Sequence, residues 1–216
     1  IDMYANVPLV TQLTSELPQQ SNRQEIFSFI EAELNELSSL LADSRSNEYG
    51  RVDKVAAWAL LSRLYLNAPV YIGSDMSSQV IANAEKVISS SYSLNTTDGN
   101  GNGSAYDELF LADNNTNGAQ NEFIFVVQFD GLNSQSWGGG TFMVHAPIGG
   151  SMDPSIFGVN GGWGGLRTTK ALVDKFEYSI TSSDGDGNPI AWSDSRAMFH
   201  TDGQNYEMEK VAPFKE

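Results

Sequence analysis

The chain has 216 residues, 40% of them hydrophobic, enough for one sizeable core. Its formal charge of −15 and pI of about 4.3 repel a phosphate backbone and argue against nucleic acid as a partner. It has no cysteine, which removes disulfides, thiolate catalysis and Cys-based zinc sites together.

No run approaches the ~20 apolar residues of a membrane helix. The chain starts at Ile1 and carries no basic, then apolar, leader pattern. It therefore reads as a processed product or a piece of a longer protein. Helices cut away from their neighbours would leave apolar faces uncovered.

Residues 1–20 read as extended or irregular, with Pro8 and Pro18 around a short apolar stretch. At Ser21 a capping-box pattern appears, with Gln24 three residues on, and predicts a helix to about Leu41. Ile26, Ile30, Leu34, Leu37 and Leu41 recur at helical spacing and form one stripe. A second helix is predicted from about Asp53 to Asn67, with Ala57, Leu60, Leu61, Leu64 and Tyr65 as its apolar face and Trp58 in the core. A third starts near Asp75 and carries Ile81, Ala84, Val87 and Ile88. The second and third helices form a hairpin around Pro69 and Gly73, like one tetratricopeptide-type unit without a second copy.

The texture changes after residue 94. Asn95–Ser104 and residues 113–121 read as polar loops, and Glu122–Phe129 as a strand apolar on both faces. Gly131–Gly165 is Gly-rich and irregular, the kind of long loop that is usually functional. A last short helix is predicted over about Thr168–Phe176, followed by a loop from Thr181 to Ser195.

Three segments offer hard oxygen ligands of the kind calcium takes. Asp98, Asn100, Asn102 and Gly103 match the first half of a calcium loop, but Leu109 stands where its glutamate belongs and Glu108 comes one place early. Asp113, Asn114, Asn115, Asn117 and Glu122 form a second cluster, and Asp184–Asn188 a third that runs into Pro189. Each also reads as an ordinary polar turn. His145 and His200 form no zinc motif, and no catalytic carboxylate pair, nucleophile elbow or phosphate loop is recognisable.

The segment Gly50-Arg51-Val52-Asp53-Lys54-Val55-Ala56-Ala57-Trp58-Ala59-Leu60-Leu61-Ser62-Arg63-Leu64-Tyr65-Leu66-Asn67 resembles the SusD/RagB family. Asn6–Val10, Ile30–Leu34, Ala84–Ile88 and Asn121–Phe125 resemble further family segments in the expected order. Glu108–Asn114, Trp137–Gly139 and Asn160–Trp163 are most similar to the family's starch-binding prototype. The resemblance spans roughly residues 1–180, and members of the family are about twice this length or more.

The resemblance implies a mainly α fold, with tetratricopeptide-like helical hairpins, a loop-rich, Gly- and aromatic-rich face and few short strands. The chain then divides into a helical part, 1–94, and a loop-rich part, 95–216, of one partial domain. It also implies non-catalytic capture of an oligosaccharide or polysaccharide, an α-glucan such as starch among the candidates. The setting implied is the outer face of the outer membrane, lipid-anchored beside a SusC-like TonB-dependent transporter. Sugar rings offer an apolar face to flat aromatics and a hydroxyl rim to amides and Arg. Trp137 and Trp163, each followed by glycine, take the stacking role by resemblance, with Asn133, Gln135, Asn160 and Arg167 as polar helpers. The competing readings are that each Trp plugs its own loop, and that the hairpin is a protein-interaction scaffold.

Overall fold

The computed structural model describes residues 1–111, 113–129, 133 and 137–200. They form two compact units. One comprises residues 1–95 and 119–127, the other the described residues among 96–118 and 128–200.

The first unit is helical. Helix α1 spans Arg23–Leu40, α2 Lys54–Leu66, α3 Ala68–Ile72 and α4 Ser77–Ile88. The N-cap of α1 is Asn22, one residue beyond the predicted Ser21. The Asn22 side chain accepts from Glu25 N, and the Glu25 carboxylate accepts from Asn22 N, each at 2.9 Å. The same box in the next register wins because a carboxylate accepts more strongly than a Gln amide. Ser21 N donates instead to Val7 O.

Phe27, Leu61, Leu64, Tyr65 and Ala68 form the core, with Ile30, Leu34, Ile72 and Val80 packed around it. Each fully buried large side chain contributes about 1.5–3 kcal/mol. The predicted stripe of α1 holds at Ile26, Ile30 and Leu34, but Leu37 is exposed. On α2, Val55 is buried and Leu60 is half exposed. On α4 the expected Ala84 and Val87 turn inward together with Val80 and Asn83, while Ile81 and Ile88 face outward. Trp58 is half-buried rather than core, with the Lys86 ammonium 5.8 Å above its ring. A groove of about 220 Å³, lined by Ile30, Leu34, Leu60 and Leu64, opens beside the core.

Asp53 organises the junction before α2. It is almost wholly buried. Its Oδ1 accepts from Val55 N, and its Oδ2 accepts from Arg45 N and from the Tyr92 hydroxyl, all at 2.8 Å. Arg45 takes a left-handed φ of 55°, and its guanidinium lies 5.5 Å from the Tyr92 ring. Between α2 and α4 the expected Pro/Gly loop is the short helix α3, with Pro69 in its first turn and Gly73 at φ 70° closing it. Pro fits a first helical turn because its missing N–H has no intrahelical partner there.

The predicted strand at Glu122–Phe129 does not form. Those residues lie outside any sheet, and Phe125 and Val127 are exposed. Alternating apolar residues favour a strand only when a partner supplies hydrogen bonds, and no strand lies beside this one among the described residues.

The second unit contains α5 (Gly139–His145), α6 (Lys170–Val173) and an antiparallel pair, β1 (Ile180–Ser183) and β2 (Pro189–Trp192). The expected loop over Thr181–Ser195 is thus a hairpin. Asp184 closes it, accepting from Asp186 N at 3.0 Å and Asn188 N at 2.8 Å. These bonds, led by those from Asn188, hold the Asp184 carboxyl below its usual range. The third calcium-like segment is therefore this hairpin turn. Helix α6 runs into a 3₁₀ turn over Asp174–Ser179, so the predicted last helix begins and ends slightly later than expected.

Candidate functional site

The loop unit brings Trp137 and Trp163 together. Their ring centroids are 5.9 Å apart with planes tilted by 36°. Trp137 is 84% exposed and Trp163 40%, so both present indole surface to solvent. The Trp137 ring is uncovered, while that of Trp163 is partly covered by its neighbours.

Helix α5 connects them. It begins two residues after Trp137 and ends at His145. Its first turn is glycine because the Phe129 ring lies against it: a Cβ on Gly139 would stand 2.6 Å from that ring, and one on Gly140 3.0 Å. Its last turn leaves carbonyls without helical partners. The Gly-rich segment before Arg167 supplies the donors. Trp163 N donates to His145 O at 3.0 Å, Gly164 N to Ile148 O at 2.9 Å, and Gly165 N and Leu166 N to Ala146 O at 2.9 Å. Ala146 and Ile148 are buried beneath this clamp.

The clamp needs glycine for close approach. A Cβ on Gly162 would lie 2.3 Å from the Ile148 carbonyl oxygen, and one on Gly149 2.8 Å from Gly164 Cα. Trp163 is placed by backbone bonding, and its ring is flanked by two further rings. His145 stacks on it at 4.9 Å and 24°, and Phe142 stands at 6.3 Å and 54°. Neither was singled out from the sequence. Their spacing of three residues, shortly after Trp137-Gly-Gly-Gly, was the available signal.

Of the expected polar helpers, Asn133, Asn160 and Arg167 are exposed residues of the same unit. Gln135 lies outside the described residues. Trp192 belongs elsewhere: it packs on Phe199 at 5.3 Å, and Phe199 packs on Phe176 at 5.4 Å.

The calcium candidates are tied up by hydrogen bonds. Asp98 accepts from Gly101 N, Asn102 N and Gly103 N. Buried Glu108 accepts from Asn100 N at 2.8 Å and from the Asn117 amide at 3.1 Å. Asn117 also donates to Glu108 O, and Asp113 Oδ1 lies 3.4 Å from the same amide. Asn115 is exposed, and in the helical unit Glu122 accepts from Asn95 N at 2.8 Å. Among the described residues, no group of three or more His, Asp or Glu side chains is gathered for a metal.

The described residues thus form a mainly helical unit and a second unit that presents an exposed tryptophan pair on a glycine clamp. Among the described residues no helix is long and apolar enough to cross a membrane. No protein-family model matches the chain. Over 177 residues, 82% of its length, the chain is 34% identical to the starch-binding protein SusD of Bacteroides thetaiotaomicron. The chain belongs to the SusD-like family. It spans about 30% of the length of that curated relative.

Proposed function

We propose that this chain is part of a non-catalytic carbohydrate-capture protein whose ligand stacks on Trp137 and Trp163. The observation that carries the reading is the exposed indole pair, 5.9 Å apart and tilted by 36°. Flat rings bind the C–H face of a pyranose and bury it from water. A tilt of this size bends the platform. A flat β-linked chain suits coplanar rings, whereas a curved α-linked glucan follows tilted ones. An α-glucan such as starch is therefore the first ligand to test, and the SusD relative's name supports the same choice.

By its family resemblance the whole protein works at the outer face of the outer membrane, held by a lipid anchor, and passes oligosaccharide to a SusC-like TonB-dependent transporter. Asn133, Gln135, Asn160 and Arg167 are the candidates for the hydroxyl rim. Calcium, through Asp113, Asn115 and Asn117, is the remaining candidate cofactor. The absence of a recognisable catalytic motif supports capture without hydrolysis.

The test is titration calorimetry of the full chain against α- and β-linked oligosaccharides, with Trp137→Ala and Trp163→Ala beside it. Each substitution should weaken binding of one glycan class by at least about tenfold, with the circular dichroism spectrum unchanged. Binding indifferent to both substitutions would move the function to another surface, with the helical hairpin as a protein-interaction scaffold the reading to take its place.

A further inference from the structure

Two features of Trp163 are not accounted for by stacking on a ligand: its main chain and its ring are both held by the same residue. His145 O accepts from Trp163 N at 3.0 Å, and the imidazole lies 4.9 Å from the indole, nearly parallel at 24°. The imidazole is itself fixed. Its Nδ1 lies 2.9 Å from Thr141 O, one helical turn back, so the proton sits on Nδ1 and donates to that carbonyl. Ring, helix end and loop thus form one rigid stack.

We propose that His145 is the positioning residue of the carbohydrate platform: it backs one face of the Trp163 indole and holds the ring ready for a sugar. This rests on the carbohydrate reading given above. An unsupported Trp in a Gly-rich loop samples several rotamers, and a ligand that must first order it binds more weakly. Here α5 does that ordering beforehand. A histidine also suits the place better than an aliphatic residue would. Its flat face matches the indole, as a phenyl ring in its place also would. Phe142, at 54°, cannot serve, because its ring meets the indole obliquely.

The experiment compares glycan affinity for wild type, His145→Ala, His145→Phe, Trp163→Ala and the double variant His145→Ala with Trp163→Ala. It also reads the imidazole proton shifts by NMR. The chain has only two histidines, so the signals are assigned by loss in His145→Phe. The expected results are a loss of about two- to tenfold in His145→Ala and recovery to within about twofold in His145→Phe. The double variant should bind no more weakly than Trp163→Ala alone. The His145 imidazole signals should lie upfield in wild type and return toward random-coil positions in Trp163→Ala.

Wild-type affinity in His145→Ala, failure of His145→Phe to recover, a further loss in the double variant, or imidazole signals indifferent to Trp163→Ala would each overturn the inference while leaving glycan capture standing. A wild-type chain that binds no glycan would overturn the carbohydrate reading and this inference with it.

Discussion

Truncating Asp53 tests whether one buried carboxylate holds the start of α2. The substitution Asp53→Ala removes three acceptor contacts at once: the cap on Val55 N, the bond from Arg45 N and the bond from the Tyr92 hydroxyl. Loss of an N-cap costs ~1 kcal/mol. The two remaining donors are only part-buried, so each costs the lower end of an unmade bond, about 1 kcal/mol. Arg45 also loses the anchor of its left-handed backbone, at about 1 kcal/mol. Against these stands the desolvation of the carboxylate, which truncation relieves in part. The net loss should be about 3 kcal/mol. Tyr92→Phe removes one of the three bonds and should cost about 1 kcal/mol. Urea unfolding followed by circular dichroism reads both, and at a slope of ~1–3 kcal/mol/M the Asp53→Ala midpoint falls by about 1–3 M. An Asp53→Ala variant no less stable than Tyr92→Phe would refute the argument that this carboxylate joins three segments.

Burial, and then the bond to Asp53, push the Tyr92 phenol up to about 12. A raised folded pKa means its stabilising contribution is complete below the unfolded value of ~10 and is lost as the pH rises toward 12; tyrosinate absorbance during alkaline titration should show this Tyr ionising last, with unfolding. Gly162→Ala puts a methyl 2.3 Å from the Ile148 carbonyl, and a backbone oxygen cannot step aside cheaply; strain of about 1–3 kcal/mol should loosen the clamp and lower glycan affinity while helical circular dichroism persists. Stacking on neutral sugar involves no ion pair, so calorimetry at low and high salt should give affinities within about twofold, and polyanionic glycans should bind poorly to a chain of charge −15.

The helical unit was largely legible because its signals are local. Capping side chains, a Pro in a first turn and periodic apolar residues each act within a few positions of the chain. The misses share a cause. Ile81 and Ile88 have the hydrophobicity of core residues, but hydrophobicity does not fix rotation about the helix axis; the neighbours of α4 do, and they choose Val80, Asn83, Ala84 and Val87. Leu60 and Val55 exchanged places for the same reason. Asp53 went unremarked as a buried group because its partners, Arg45 and Tyr92, stand eight and 39 residues away. The strand expected at Glu122–Phe129 failed on the same ground, since pairing is a property of two segments and only one can be read.

The tryptophan pair shows the converse: the two residues lie side by side, for a reason that the glycines beside them suggest only in part. Glycine next to Trp suggests an indole that nothing covers, and the exposure of Trp137 agrees. At Trp163 the glycines act otherwise. Gly162 and Gly149 let two stretches of backbone meet at distances no Cβ allows, and the bonds so formed fix the tryptophan in place. Glycine here supplies rigidity through proximity, against its usual association with freedom. The same logic explains why the stacking residue was missed. His145 earns its role from a carbonyl that the helix leaves unpaired and a ring that the loop then delivers to it. The sequence around residue 145 offers only the spacing of Phe142 and His145 after Trp137, which shows neither half. What the sequence does carry is the set of glycines without which the two halves could not meet, and a substitution at Gly162 is therefore a sharper test of the platform than one at any exposed polar residue around it.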